Sequence, residues 1–185
     1  MNDNELMWAK MNEKMLLSTP VFDVMERTER SETGIEGRYI AMNAPKWVTI
    51  IPVIDDDFVL VRQYRHGLGA ITSEFPGGVA DNAEEEAIVT AARELEEETG
   101  FRAGKLTILG TCNPNPALFT NTFTVCLAEE LEQTNEQHLD DDEVLTYKRV
   151  PKDEVIDSFC KGEYVHAFMG TALALYMRHK MNNNN

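Results

Sequence analysis

The feature that most constrains this chain is a block of acidic residues at the end of a predicted helix, Arg93-Glu94-Leu95-Glu96-Glu97-Glu98-Thr99-Gly100. A helix turns by about 100° per residue, so Glu94, Glu97 and Glu98 share an arc of about 100°. Carboxylates one turn apart repel each other, which destabilises a helix in water. A cation held among the three side chains would remove that repulsion. The block therefore indicates either a metal-binding helix or an acidic face exposed to solvent.

An apolar stripe of ordinary width lies beside this acidic stripe on the helical wheel. Its members are Ile88, Ala91, Ala92, Leu95 and Thr99. We therefore expect the helix to pack one side against a core, with its carboxylates next to the buried side. Glu85 and Glu86 fall near the predicted start of the helix, where the macrodipole favours negative charge. Gly100 stands where the C-terminus of a helix is expected.

Composition predicts a globular protein with one main domain, since 43% of the 185 residues are hydrophobic. The 32 acidic residues outnumber the 17 basic ones and give a formal net charge of -15. This charge argues against binding to nucleic acid or to anionic membranes. Since no apolar run reaches the ~18 residues of a membrane span, neither nucleic acid nor membrane is expected as a partner.

Cysteine usage and the N-terminal sequence predict a cytoplasmic protein. Cys112, Cys126 and Cys160 are odd in number and form no C-x-x-C pair, as is typical of thiols in a reducing compartment. The first ten residues lack a basic start followed by an apolar run, so no secretory signal is predicted. The four histidines, for which surface or hydrogen-bonded positions are expected, are His66, His138, His166 and His179.

Apolar runs separated by turn residues predict a series of strands. They cover Val21–Arg27, Gly37–Met42, Trp47–Ile54, Phe58–Tyr64, Ile71–Phe75, Leu106–Gly110, Thr122–Ala128 and Val144–Val150. Helices are predicted after Pro151 and over Phe168–His179, whereas Leu6–Leu17 fits either a short helix or an irregular arm. Strands and helices mix without strict alternation, which predicts a mixed sheet with helices on its faces.

The segment around the acidic block resembles the Nudix box, G-x5-E-x7-R-E-U-x-E-E-x-G-U, in which U is a bulky apolar residue. Residues 93–101 match the second half of the box without a gap, and Glu85 matches its first glutamate. Gly78 precedes Glu85 by six intervening residues instead of five, so the loop carries one extra residue. The resemblance implies an α/β (α+β) fold, namely a Nudix-type α/β/α sandwich with a mixed β-sheet.

Features outside the box resemble one branch of this family, the ADP-ribose and nucleoside-diphosphate-sugar pyrophosphatases. They are the strand that ends in Gln63-Tyr64-Arg65, the loop Glu74-Phe75-Pro76-Gly77-Gly78, and Pro116, sixteen residues after the glycine that ends the acidic block. The resemblance implies that Arg65, Glu74 and Pro116 bind substrate.

Each of these residues also has a simpler interpretation. Arg65 alone would be a surface charge, but its guanidinium can bind phosphate oxygens in bidentate fashion. Glu74 fits either a hydrogen bond to a substrate sugar or a brace within the loop. Pro116 can be a turn residue only, and Trp47 fits either a core aromatic or a stacking partner for a nucleotide base.

The resemblance implies that Glu94, Glu97 and Glu98 hold Mg²⁺, with Mn²⁺ as an alternative, and that the Gly77 carbonyl assists. Hard divalent cations take oxygen ligands of this kind and share them with substrate phosphates. Arg93 is expected to pair with a glutamate of the box and to orient it, without touching the substrate.

The catalytic residues that the resemblance implies are Glu98, Glu143 and Asp141. In this branch the base that accepts a proton from the attacking water comes from an acidic loop after the last core strands, not from the box. Here that loop is His138-Leu139-Asp140-Asp141-Asp142-Glu143, and Glu143 is predicted as the base, with Asp141 second. The same run also fits a solvated acidic turn.

The function that the resemblance predicts is metal-dependent hydrolysis of the diphosphate in a small-molecule nucleotide sugar. ADP-ribose is the first candidate substrate and another nucleoside diphosphate sugar the second, with a nucleoside monophosphate and a sugar phosphate as products. Members of this branch are typically homodimers. Residues 1–44 are therefore expected to be a dimer-forming arm with strands, and residues 45–185 the Nudix hydrolase domain.

Two other functions stay open at this stage. The chain could hydrolyse nucleoside triphosphates, dinucleoside polyphosphates or capped RNA ends. Its acidic surface argues against RNA. The presence of Pro116 and of Gln63-Tyr64-Arg65 argues against nucleoside triphosphates and dinucleoside polyphosphates. Alternatively, it is a non-catalytic module that senses a nucleotide. Intact Glu94, Glu97 and Glu98 argue against this, because a disused site has no reason to keep their mutual repulsion.

Overall fold

The computed structural model of the protein describes residues 3–134, 137–139 and 143–183. The chain forms two compact units. The first contains Met1–Pro45 and Asn113–Thr122, and the second contains Lys46–Cys112 and Phe123–Asn185. In the described parts of the chain, no helix has both the length and the apolar character needed to cross a membrane.

The first unit is built on a three-stranded antiparallel sheet in the order β1-β2-β3. The strands are β1 (Trp8–Ser18), β2 (Asp23–Ser31) and β3 (Glu36–Asn43), and a 3-10 turn over Asp3–Leu6 precedes them. Neither alternative predicted for Leu6–Leu17 is correct, because most of this segment is strand β1. Antiparallel pairing with β2 satisfies the backbone groups on that side of the strand.

The segment 113–122 closes onto this small sheet. The Met42 amide donates a hydrogen bond to the Leu118 carbonyl (2.7 Å), and the Thr120 amide donates to the Met42 carbonyl (3.0 Å). The Asn121 side chain caps the end of the unit by donating to the Pro45 carbonyl (2.6 Å). These contacts explain why the segment belongs to the first unit although it is distant from β3 in sequence.

Among its described residues, the second unit contains six strands and three helices. The strands are β4 (Trp47–Ile54), β5 (Asp57–Arg65), β6 (Ala70–Glu74), β7 (Phe101–Cys112), β8 (Phe123–Gln133) and β9 (Leu145–Pro151). The helices are α1 (Ala87–Thr99), α2 (Lys152–Ser158) and α3 (Ala167–Asn183). The strand order is β6-β5-β4-β8-β7, and β9 pairs with β5. Since β4 and β8 are parallel while the other pairs are antiparallel, the predicted mixed sheet is confirmed.

Both faces of this sheet are buried. On one face, Ile50 and Val59 pack with Ala91 and Leu95 of α1. On the other face, the core contains Ile51, Phe58, Leu60, Val125 and Leu127 together with Val155 of α2 and Met169, Ala172, Leu173 and Tyr176 of α3. Successive residues of one strand point to opposite faces, so the apolar run of β4 supplies both cores. The predicted α/β/α sandwich is confirmed.

Strands β4 and β5 separate soon after the turn that joins them. They pair only at Val53–Phe58 and Ile54–Asp57. The gap is filled by residues 76–80, which run antiparallel to the first half of β4. The Ile50 amide donates to the Pro76 carbonyl (2.8 Å), and the Val48 amide donates to the Gly78 carbonyl (2.9 Å). We call residues 76–80 the glycine loop; the divergence of the two strands is what brings this loop beside α1.

Helix α1 carries the acidic block, but its burial differs from the prediction. Glu94 and Glu98 are buried together with Leu95, whereas Ala92 is exposed. The prediction that the acidic stripe lies beside the buried stripe is therefore wrong for two of the three glutamates, because the glycine loop covers them. The helix also begins at Ala87, so Glu85 and Glu86 precede it.

Gly100 ends α1 in the left-handed conformation, with φ 67°, and its amide donates to the Glu96 carbonyl. The predicted helix end is thus confirmed. A side chain is strained in this conformation.

We expect Gly100→Ala to destabilise the protein by about 1 kcal/mol, because alanine disfavours a positive φ. A loss of that size lowers Tm by roughly 2–4 °C in a chain of this length. Gly67→Ala is the control, since Gly67 has open space around it and no positive φ. Thermal melts monitored by circular dichroism would contradict the prediction if the two variants had the same Tm.

Candidate active site

The glycine loop covers the acidic face of α1 and hydrogen-bonds it directly. The Gly77 amide donates to Glu98 Oε2 (2.9 Å), and the Val79 amide donates to Glu94 Oε1 (3.2 Å). A Cβ atom at position 78 would lie 2.3 Å from the Glu94 carboxyl carbon, and one at position 77 would lie 2.2 Å from the Val48 carbonyl oxygen. Both glycines are therefore required for this close approach.

Arg93 connects the acidic helix to the same loop. Its Nη1 donates to Glu97 Oε2 (2.9 Å) and lies 3.0 Å from Glu94 Oε1. Its Nη2 donates to the Val79 carbonyl (2.9 Å). The guanidinium thus holds two glutamates of the block in place, which is the pairing expected from the sequence.

The direction of the Gly77 carbonyl follows from the backbone pattern. The carbonyls of Pro76 and Gly78 both accept hydrogen bonds from β4. Residues alternate in direction along an extended chain, so the amide and carbonyl of Gly77 point away from β4. The amide reaches Glu98 on α1. The carbonyl, predicted as a metal ligand, is therefore directed to the side of the glutamates.

Glu98 is the most perturbed carboxyl of the block and is only 3% exposed. Burial raises the pKa of Glu98 to about 8, the Gly77 amide opposes this shift, and the charges of Glu94 and Glu143 add to it. Burial also raises the pKa of Glu94. Ionised carboxylates at such positions require a compensating positive charge.

This donor set fits a hard divalent cation, because it consists of carboxylate and carbonyl oxygens. A nearby dication also stabilises the ionised form of a buried carboxyl. In the described parts of the chain, no three His, Cys, Asp or Glu side chains form a ready metal-binding cluster. The oxygens of Glu94, Glu97 and Glu98 are instead engaged by Arg93 and the glycine loop.

A cavity of about 210 Å³ opens over this acidic face. Its walls include Glu94 and Glu97 from α1, with Arg93 between them, and Glu143 from the loop before β9. The structure thus brings the predicted base Glu143 together with the acidic block. Asp141, the second candidate for the base, lies outside the described residues.

His138 also lines this acidic cavity, and its amide donates to the Glu97 carbonyl (2.9 Å). Sequence reasoning did not identify it, because a single histidine in a polar loop has no characteristic spacing. Its place in the same acidic run as Glu143 was the only available signal.

A second cavity of about 340 Å³ also borders the glycine loop. Trp47, His166 and Phe168 supply aromatic surface to it, and Arg65 and Glu74 supply charge. Trp47 also packs against Phe168, with ring centroids 5.6 Å apart, so it is both part of the packing and part of the cavity wall. Gly78 and Val79 line both cavities, which places the aromatic and acidic cavities next to each other.

Arg65 and Glu74 form a bidentate ion pair in the wall of the aromatic cavity. Arg65 Nε donates to Oε1 (2.8 Å) and Nη2 donates to Oε2 (2.9 Å). Burial alone would raise the pKa of Glu74, but hydrogen bonds and charge from Arg65 outweigh it and hold that pKa below its ordinary value. Glu74 is 3% exposed, whereas the Arg65 side chain keeps 42% exposure. Of the two roles considered for Glu74, this geometry favours the brace.

Pro116 belongs to the first unit, whereas the other predicted site residues that the structure describes belong to the second. It follows Asn115, whose carbonyl accepts hydrogen bonds from the amides of Leu118 (3.0 Å) and Phe119 (2.8 Å). This arrangement agrees with the simpler interpretation of a turn residue. Its contact with substrate stays a prediction.

Glu163 anchors the loop between α2 and α3, which carries His166 of the aromatic cavity. It accepts hydrogen bonds from Ser73 Oγ (2.6 Å), Lys148 Nζ (2.7 Å) and Arg62 Nε (3.0 Å). The bond from Lys148, followed by that from Ser73, lowers the pKa of Glu163 to about 2. The loop is thereby fixed to β5, β6 and β9.

The sandwich, the acidic helix and the glycine loop over it define a Nudix domain. The family model described as NUDIX domain matches residues 44–168. The chain therefore belongs to the Nudix family, as the box predicted.

Similar proteins give a finer comparison. The chain is 30% identical over 145 residues to the ADP-ribose pyrophosphatase of Bacillus subtilis (strain 168), covering 77% of this chain and 78% of the relative. It is 34% identical over 84 residues to the ADP compounds hydrolase NudE of Escherichia coli (strain K12), covering 45% of each. A crystal structure of an ADP compounds hydrolase matches with a TM-score of 0.83 and 26% identity over 96% of both chains. The predicted resemblance to the ADP-ribose pyrophosphatase branch is confirmed.

We expect Glu163→Gln to lower Tm at pH 7 and to do so less as the medium becomes acidic. A carboxyl with a depressed pKa stabilises the fold above its unfolded pKa of about 4.3, and that stabilisation is lost as pH falls towards 2. Thermal melts at pH 7, 4 and 2.5 measure the difference from the parent protein. Glu154→Gln, at an exposed position of α2, is the control. A difference that stays constant with pH would contradict the assignment.

Proposed function

We propose that this protein is a metal-dependent pyrophosphatase that hydrolyses ADP-ribose or another nucleoside diphosphate sugar. The products would be a nucleoside monophosphate and a sugar phosphate. The observation that carries the proposal is the pair of adjacent cavities that share Gly78 and Val79. One is acidic and suits cations, and the other combines aromatic rings with an arginine. A molecule that joins a diphosphate to a base and a sugar needs both kinds of surface.

Glu94, Glu97 and Glu98, with the Gly77 carbonyl, would hold Mg²⁺, for which Mn²⁺ is an alternative. When bound, the ion supplies neutralisation of the diphosphate charge and activation of water. The chain itself contributes the fixed geometry of the carboxylates. The Gly77 amide orients Glu98 and Arg93 orients Glu97, so these groups need little rearrangement when a cation enters.

Glu143 would act as the general base, and Asp141 remains the alternative. The oxygen of the attacking water forms a bond to one phosphorus as the bond from that phosphorus to the bridging oxygen breaks. The water proton passes to the Glu143 carboxylate, and the bridging oxygen leaves on the other phosphate. Glu143 lines the acidic cavity with Glu94 and Glu97, which supports this assignment.

Arg65 would bind the non-bridging oxygens of the diphosphate with the N–H groups that Glu74 leaves free. Guanidinium groups suit this task because they keep their charge and bind oxygens in pairs. In a chain with a formal net charge of -15, a placed cation of this kind is needed to attract an anionic substrate. Trp47 and Phe168 would cover the apolar face of the base or sugar, and Pro116 stays a candidate substrate contact.

We further propose that the protein is a homodimer in which residues 1–44 form the contact between subunits. The supporting observation is the number of exposed apolar side chains in this region. Monomeric proteins rarely expose large apolar patches. They are Leu6, Met7, Trp8, Met11, Met15, Leu16, Leu17, Val21, Ile35, Tyr39 and Ile40. A cytoplasmic location is supported by the three cysteines, all of which are free thiols.

Hydrolysis of nucleoside triphosphates or dinucleoside polyphosphates is the nearest alternative within the family, and a non-catalytic nucleotide sensor is the alternative outside catalysis. Two similar proteins are named as an ADP-ribose pyrophosphatase and an ADP compounds hydrolase. These names favour a nucleotide sugar as the substrate. The raised pKa of Glu98 favours catalysis, because strongly perturbed carboxyls concentrate at functional sites.

A substrate panel tests the reaction. We expect Mg²⁺-dependent release of AMP and ribose phosphate from ADP-ribose, with slower turnover of GDP-hexoses and little turnover of nucleoside triphosphates. Mass spectrometry of both products in ¹⁸O-labelled water identifies the phosphorus that is attacked. If no diphosphate is turned over with Mg²⁺ or Mn²⁺, the protein is a binding module.

We expect Glu98→Gln to lower kcat by about 10²-fold or more, because the site loses both a metal ligand and a negative charge. The fold should be kept, since glutamine retains the size of the side chain and its acceptor for the Gly77 amide. Glu96→Gln is the matched control in the same block, two residues away and on a different side of the helix, where the carboxylate pairs with Arg102 (2.8 Å). Full activity of Glu98→Gln in a steady-state assay would remove the metal assignment.

A further inference from the structure

His166 uses its two ring nitrogens for two different contacts. It directly precedes α3, and the Phe168 amide donates to its Nδ1 (3.2 Å). Because Nδ1 accepts this hydrogen bond, the proton of the neutral ring is on Nε2. Nε2 lies 3.5 Å from Glu74 Oε2. His166 therefore caps the start of α3 with one nitrogen and faces the Arg65–Glu74 pair with the other.

The Glu74 carboxylate has partners on all sides. Oε1 accepts from Arg65 Nε (2.8 Å) and from Thr72 Oγ1 (2.7 Å). Oε2 accepts from Arg65 Nη2 (2.9 Å) and faces His166 Nε2. A carboxylate has about four acceptor positions. Three of them accept these hydrogen bonds, and His166 Nε2 lies 3.5 Å from Oε2 on the remaining side. Glu74 is therefore engaged mainly by groups of the protein, and its main partner is Arg65.

We infer that His166 is a positioning residue that sets the direction of Arg65 through Glu74 and so controls how tightly the diphosphate is bound. This inference rests on the proposed function of the site. Arg65 and Glu74 stand on β5 and β6, whereas His166 stands at the start of α3. In the described part of the chain, Arg65 is the one Lys or Arg side chain in the wall of the aromatic cavity. The histidine thus connects helix α3 to this guanidinium.

Electrostatics keep His166 in the form that these contacts require. The charged groups that face it are Glu74 and Arg65. Burial lowers the pKa of His166, the charge of Glu74 opposes this effect, and the charge of Arg65 adds to it. The ring is therefore neutral at pH 7. A neutral ring supplies one acceptor for the helix and one donor for the carboxylate, whereas a protonated ring would lose the acceptor.

Two substitutions separate the two contacts. Asparagine places an acceptor near the position of Nδ1 and is a favoured N-cap, but it is too short to reach Glu74. Glutamine places a donor near the position of Nε2 and is a poor N-cap. We expect His166→Asn to keep Tm within about 2 °C and to raise KM for ADP-ribose about fivefold, with a smaller change in kcat. We expect His166→Gln to lower Tm and to raise KM less than His166→Asn does.

A double-mutant cycle identifies the route of the effect. In a Glu74→Gln background, His166→Asn should change KM less than twofold, because the carboxylate through which it acts has been neutralised. Equal effects of His166→Asn in both backgrounds would overturn the inference. The inference would also be overturned if the Asn and Gln variants showed the same fall in Tm and the same rise in KM. Such a result would indicate a purely structural role for His166.

An NMR titration tests the contact without any turnover. The His166 resonance is assigned by its loss in His166→Asn, and its pKa is measured in the parent protein and in Glu74→Gln. A lower pKa in Glu74→Gln is expected, since the neighbouring negative charge is gone. An unchanged pKa would overturn the inference even if ADP-ribose is hydrolysed. If the parent protein hydrolyses no diphosphate, the proposed function fails, while this titration still decides whether His166 holds Glu74.

Discussion

The rest of the site depends on one interaction, the docking of the glycine loop on the acidic face of α1. Two backbone amides, those of Gly77 and Val79, donate to the buried carboxylates of Glu98 and Glu94. Buried carboxylates without partners are costly, and these amides together with Arg93 supply part of the compensation. They leave the carboxylates close together and incompletely neutralised, which is the condition under which a divalent cation binds strongly.

This interaction is possible because the sheet is interrupted between β4 and β5. Because β4 and β5 pair at only two positions, the edge of β4 is free to accept the glycine loop as a short additional strand. The loop then contributes to the walls of both the acidic cavity and the aromatic cavity. This pair of cavities is the basis for the proposed substrate, in which a diphosphate joins two organic groups. The Arg65–Glu74–His166 contacts belong to the aromatic side, and the carboxylates of α1 and Glu143 belong to the acidic side.

Much of the fold could be predicted from the sequence. The run Trp47–Ile54 is apolar except for Thr49 because both faces of β4 are buried, and its bounds were predicted correctly. Gly100 was predicted as a helix end because a left-handed residue is required there. β1 was missed, because its polar and apolar residues do not alternate regularly and its conformation depends on pairing with β2. The burial of Glu94 and Glu98 was missed for a related reason, because a helical wheel contains no information about what covers it.

Local spacing indicated the candidate chemistry of the acidic block. The intervals between Glu94, Glu97 and Glu98 follow from the turn of one helix and fit either an oxygen-rich metal site or a solvated acidic face. The resemblance of the surrounding residues to the Nudix box favoured the metal site. Tertiary structure decided which groups modify that chemistry. Gly77 meets Glu98, Glu74 meets His166 and Ser73 meets Glu163 across separations of 21, 92 and 90 residues. Contacts of that kind are set by how strands and helices pack, and no periodicity in the sequence encodes them.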